Sequence, residues 1–118
     1  MPVAKQTSAE TRCDSAIAKL YGVSAIVRFG RKDRRAPNTM GVPDRLYFCG
    51  SKMVWFEVKN GRDVLSVAQT AFLTKVLAAD GIAGCGVLTD LLALLNAPTP
   101  YLTGHAQIAK YRTAAGRS

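Results

Sequence analysis

The sequence predicts an α/β fold, a mixed β-sheet flanked by helices in the order helix, three strands, helix, strand, helix (αβββαβα). Three observations carry this expectation. Residues 45–59 read as a β-hairpin, two apolar-rich runs around Gly50-Ser51-Lys52. Thr7-Ser8-Ala9-Glu10 and Ser66-Val67-Ala68-Gln69 both have the form of a capping box, and each precedes apolar residues at helical spacing. Ile82 to Leu88 is a short apolar run containing Ala83, Gly84 and Gly86, which suits a buried, closely packed strand.

The elements follow in order. Thr7 is the expected N-cap of a first helix carrying Cys13, Ala16, Ile17, Leu20 and Tyr21 on one face, and Gly22 ends it. Ser24–Phe29 is a short strand. Residues 30–41, rich in Arg, Lys, Gly, Pro and Asn, have no periodicity and read as a loop. In the strand Met53–Lys59, Val54, Phe56 and Val58 face one side, and Met53, Trp55, Glu57 and Lys59 the other. Asn60 to Asp63 is a turn. The helix opened by Ser66 places Phe72, Leu73, Val76 and Leu77 together, and Gly81 closes it. Thr89 or Asp90 is expected to cap a short apolar helix ending at Leu95. Pro98 and Pro100 mark a boundary, and residues 98–118 read as a basic, mobile tail.

A chain of 118 residues is the size of one domain, and 48% hydrophobic with 20% charged residues excludes wholesale disorder. No apolar run is long enough to span a bilayer, and the polar amino terminus lacks the core of a signal peptide. Cys13, Cys49 and Cys85 are odd in number and widely spaced, which argues against a disulfide framework or a cysteine zinc site and for a reduced, cytoplasmic protein. Net charge is +8 and unevenly spread. Residues 1–42 hold eight basic and three acidic side chains, residues 43–97 five of each, and residues 98–118 three basic and none acidic. A balanced centre between basic flanks suits a carboxylate site beside a surface that attracts phosphate.

The chemistry concentrates in Gly41-Val42-Pro43-Asp44 and, after twelve residues, Glu57-Val58-Lys59. Glu57 and Lys59 are two apart on a strand and leave the same face, and the hairpin folds Asp44 back beside Glu57. Charged residues alternating on a strand also suit a solvated face. Two carboxylates brought together, however, are costly unless a cation shares them. Mg²⁺ takes one or two carboxylates plus waters and a substrate phosphate, and the Val58 carbonyl is a further candidate ligand. Lys59 is placed to orient an attacking water or to offset charge on the phosphorane. Metal-assisted phosphodiester hydrolysis follows, with the basic loop holding the polyanion.

Gly-Val-Pro-Asp, the hairpin, Glu-Val-Lys and then Leu65-Ser66…Gln69 resemble the PD-(D/E)XK nuclease superfamily, and within it the VRR-NUC family in its short stand-alone form of viruses and bacteria. The resemblance covers roughly residues 7–95 and implies a nuclease domain over 1–97 with a restriction-endonuclease-like core. It implies cleavage of DNA with Mg²⁺ or Mn²⁺, on branched or flapped substrates such as four-way junctions. It makes Asp44 and Glu57 the metal-binding carboxylates and Lys59 the catalytic lysine. Gln69 then supports the site or contacts DNA, or is only a cap. Glu10 joins the metal ligands, or is only the third residue of its capping box. Arg45 departs from the family's apolar residue after Pro-Asp and on a strand points away from Asp44.

Arg31, Lys32, Arg34 and Arg35 form a phosphate clamp or a solvated loop. His105 lies in the expected tail, away from the chemistry. Trp55 shares the face of Glu57 and Lys59, where it could stack on a base, with core or interface packing the expected role. Met53, Trp55 and the apolar Leu91, Leu92, Leu94 and Leu95 are candidate material for a symmetric homodimer. A non-catalytic nucleic-acid-binding module and an enzyme acting on RNA stay open beside the DNA endonuclease.

Overall fold

A computed structural model of the chain describes residues 8–29, 41–60 and 63–116, with side chains through 112. The elements are α1 (Ala9–Tyr21), a 3₁₀ turn (Val23–Ala25), β1 (Ile26–Arg28), β2 (Arg45–Cys49), β3 (Lys52–Val58), α2 (Val67–Ala78), β4 (Ile82–Gly86), α3 (Leu88–Leu95) and α4 (Pro100–Gly116). The strands form one mixed sheet in the order β1-β2-β3-β4. The first two pairings are antiparallel and β3 runs parallel to β4, as a hairpin followed by a helical crossover requires. Cys49 pairs with Lys52, so Gly50 and Ser51 alone make the turn, with Gly50 at φ +67°.

The alternation of β3 sets the layers. Val54, Phe56 and Val58 pack with Tyr47 beneath α1 and α3, against Cys13, Ile17, Leu91 and Leu94. On the opposite face, Ala83, Cys85 and the half-buried Trp55 meet Leu73 and Leu77 of α2 and Ile108 and Tyr111 of α4. All three cysteines are free and buried, and burial pushes the thiols of Cys13 and Cys85 up to about 12 and that of Cys49 to about 11. They stay protonated at neutral pH and serve as packing.

Several local expectations are corrected. Ser8, not Thr7, caps α1: its Oγ accepts from the Thr11 N–H at 3.1 Å. Asp90 is the third residue of α3 rather than its cap, and its Oδ2 reaches back to the Val87 N–H at 3.0 Å. Asp80, at φ +66°, takes the left-handed position expected of Gly81. Gly81 is needed for space instead, since a Cβ there would strike Val76.

The largest correction concerns residues 98–118. Pro100 is the first residue of α4, where its missing N–H costs nothing. Gly104 lets α4 approach the Ala83 carbonyl so closely that a Cβ would collide with it. Gln107 closes the open edge of β4: its Oε1 accepts from the Cys85 N–H at 3.1 Å, and its Nε2 donates to the Asp90 carbonyl at 2.7 Å. These contacts make α4 part of the folded domain.

α1 is tied to the sheet by Asp14. Its carboxylate accepts from Tyr47 Oη at 2.7 Å, Arg45 Nε at 2.9 Å and Arg28 Nε at 3.2 Å. Burial alone would raise the Asp14 pKa, but the Arg45 and Tyr47 hydrogen bonds and the charges of Arg45 and Arg28 hold it below its ordinary value of 3.8. A depressed carboxylate stabilises the fold fully above its unfolded pKa and loses that contribution as pH falls through the folded one. Thermal melts below pH 4 should therefore drop more steeply for the wild type than for Asp14→Asn. At neutral pH the variant should already be about 3 kcal/mol less stable, because the buried Arg45 loses its nearer counter-charge and keeps only Glu10, 3.8 Å away.

Candidate active site

Hairpin register brings the two carboxylates together. Arg45 pairs with Phe56, so Asp44 falls opposite Glu57, and the Asp44 N–H donates to Glu57 Oε1 at 2.9 Å. The Asp44 carbonyl accepts from the Phe29 N–H at 3.0 Å and from Arg45 Nη1 at 3.1 Å. Gly41 has φ +83°, and a Cβ there would lie 2.5 Å from the Ala68 carbonyl oxygen. Only glycine lets this segment pass under the first turn of α2, and the fully buried Pro43 then delivers Asp44 to the sheet.

Glu57 is 1% exposed. Its Oε2 accepts from Gln69 Nε2 at 3.1 Å and lies 3.7 Å from Lys59 Nζ, itself on a side chain only 12% exposed. Burial and then the Asp44 charge push the Glu57 pKa up to about 7, while Lys59 and the Asp44 N–H pull the other way. The buried Asp44 carboxylate is close enough to Glu57 for its charge to oppose ionisation there. Such a pair holds a shared proton or a cation, and its oxygens suit a hard divalent metal.

Gln69 caps α2 and also hydrogen-bonds Glu57. Its Oε1 accepts from the Ser66 N–H at 2.9 Å and the Gln69 N–H donates to Ser66 Oγ at 3.0 Å, which is the capping box. Its Nε2 is thereby aimed at Glu57. The cap orients the amide and the amide holds the carboxylate.

Glu10 is not drawn into the pair. Its carboxylate lies 3.8 Å from Arg45 Nη2 and lines a groove of about 430 Å³ with Asp14, Ser15, Arg28 and Arg45. Among the described residues no three His, Cys, Asp or Glu side chains are arranged to hold a metal ion. Of the three acids expected at the site, the structure brings together Asp44 and Glu57 and leaves Glu10 apart. Val58 buries its side chain with α1 and α3, so only its carbonyl is a candidate ligand; the next residue anchors the strand end, Lys59 N–H donating to the Gly86 carbonyl at 2.8 Å. Arg31, Lys32, Arg34 and Arg35 lie outside the described residues.

Arg45 is the contributor whose role the sequence hid. It is buried, it supports the Asp44 backbone, and Asp14 neutralises it. The available signal was Asp14, an acid at helical spacing with Glu10 and Ile17 on the inward stripe of α1. His105 packs edge-on against Tyr101 within α4, with ring centroids 4.6 Å apart.

No family model, curated protein or solved structure matches the chain. Its functional reading rests on the geometry of Asp44, Glu57, Lys59 and Gln69. No helix among the described residues is long and apolar enough to cross a membrane.

Proposed function

We propose that the chain is a metal-dependent DNA endonuclease with a restriction-endonuclease-like core, acting on branched or structured DNA such as four-way junctions. The observation that carries this reading is a carboxylate 1% exposed, bonded to Asp44 and Gln69 and 3.7 Å from a lysine ammonium. Asp44 and Glu57 would hold Mg²⁺ or Mn²⁺, with the Val58 carbonyl as a further ligand. When bound, such a cation supplies Lewis acidity, favouring ionisation of water and offsetting charge on the scissile phosphate. Gln69 keeps Glu57 Oε2 turned toward the site. Lys59 orients the attacking water or donates to the phosphate oxygens as charge builds on them. The basic segment from Arg31 to Arg35 attracts the DNA backbone without regard to sequence.

The same reading includes a symmetric homodimer, because paired incision of a four-way junction needs two sites related by a two-fold axis. Phe48 and Met53, partners across the hairpin and 40% and 50% exposed, are the apolar surface that supports it. The α3 leucines do not serve as expected, since Leu91 and Leu94 are buried in the core of a single chain. Light scattering should return twice 12.6 kDa.

Incubation with linear, flapped and four-way DNA tests the whole reading. Cleavage of a branched substrate is expected with Mg²⁺ or Mn²⁺ and none in EDTA. DNA binding without cleavage under either metal would instead identify a non-catalytic binding module.

A further inference from the structure

Three aromatic rings line the sheet face that carries Glu57. Phe29 stacks on Trp55 with centroids 5.7 Å apart and planes 21° from parallel, and Trp55 meets Phe72 edge-on at 5.1 Å and 64°. Each ring is one step from a residue of the site. The Phe29 N–H donates to the Asp44 carbonyl. Trp55 precedes Glu57 by two residues on β3 and so shares its face. Phe72 follows Gln69 by three residues on α2 and so lies on the same side of that helix. All three are half-buried.

Charge selects the occupant. The chain carries +8, and the basic run beginning at Arg31 starts two residues after Phe29. An apolar ridge joined to a cationic segment suits a polyanion with exposed π-faces, which is an unpaired nucleic-acid strand. Paired bases hide their faces in the helical stack and cannot reach the rings. We propose that Phe29, Trp55 and Phe72 form a stacking platform for unpaired bases beside the Asp44–Glu57 pair. This inference rests on the reading above only in taking a polynucleotide as the substrate.

Trp55 is the sole tryptophan, so its emission reports the platform directly. The full chain is titrated in EDTA with oligo-dT and with an abasic strand of equal length and charge. Oligo-dT should quench Trp55 and bind roughly tenfold or more tightly than the abasic strand, the size of a single base-on-ring contact. The abasic strand should bind without quenching. Phe29→Leu and Phe72→Leu should narrow the difference between the strands and leave the salt slope unchanged. Equal affinities with unchanged emission would overturn the platform even if the enzyme cleaves DNA. Quenching without metal-dependent cleavage would uphold the platform and overturn the catalytic reading, and binding to neither strand would overturn both. An emission change that tracks protein concentration in the absence of DNA would assign the rings to a dimer interface and overturn the proposal.

Discussion

Lys59→Ala should lower the cleavage rate by about 10²–10³-fold while DNA affinity stays within about twofold of the wild type. The ammonium is one charge in a chain of net +8, so its removal barely alters attraction to the backbone. Its side chain is nearly covered, its Nζ lies 3.7 Å from Glu57 Oε2, and charge growing on the phosphate would have no other ammonium beside that carboxylate among the described residues. An interaction made mainly in the transition state changes rate and not affinity. Single-turnover cleavage and filter binding on one preparation separate the two quantities. Wild-type cleavage by a Lys59→Ala preparation free of contaminating nuclease would remove Lys59 from the chemistry.

Ending the chain at Ala97 should abolish cooperative folding. The loss strips Ile108 and Tyr111 from the core, uncovers Leu73, Leu77 and Ala83, and leaves the Cys85 N–H and Asp90 carbonyl without Gln107. Buried side chains of this size contribute about 1.5–3 kcal/mol each, and each polar group left unpaired costs about 1–3 kcal/mol. Together these reach roughly 5–12 kcal/mol, comparable to the whole stability of a domain this size. Gln107→Leu isolates the polar share and should cost about 2–3 kcal/mol with the fold retained. Circular dichroism melts decide the matter. A truncated chain that melts cooperatively within a few degrees of the full one would return residues 98–118 to the status of a tail.

The failure over α4 has a physical cause. Its decisive contacts come from Gly104, which supplies only space, and Gln107, which supplies hydrogen bonds to a strand edge. Neither leaves a hydrophobic period to read. The four strands and α1 to α3 were legible because their burial follows periods of two and 3.6, and β3 shows the clearest case, Val54, Phe56 and Val58 inward on one face with Glu57 on the other. The placement of the candidate site's residues was legible to the same extent. Glu57 and Lys59 share a face by alternation, and hairpin pairing brings in Asp44. Gln69 was ambiguous because one amide caps a helix and holds a carboxylate at once. Glu10 and Arg45 depended on how α1 sits against the sheet, and Asp14 settles that through contacts 31 and 33 residues away. No local pattern encodes them.

Mn²⁺ binding bears most directly on the paired carboxylates, followed as loss of the free-ion paramagnetic resonance signal in wild type, Asp44→Asn and Glu57→Gln. The wild type should bind Mn²⁺, and each variant should lose about tenfold or more in affinity while keeping its native circular dichroism. Unchanged Mn²⁺ affinity in both variants would place the metal elsewhere and contradict the site.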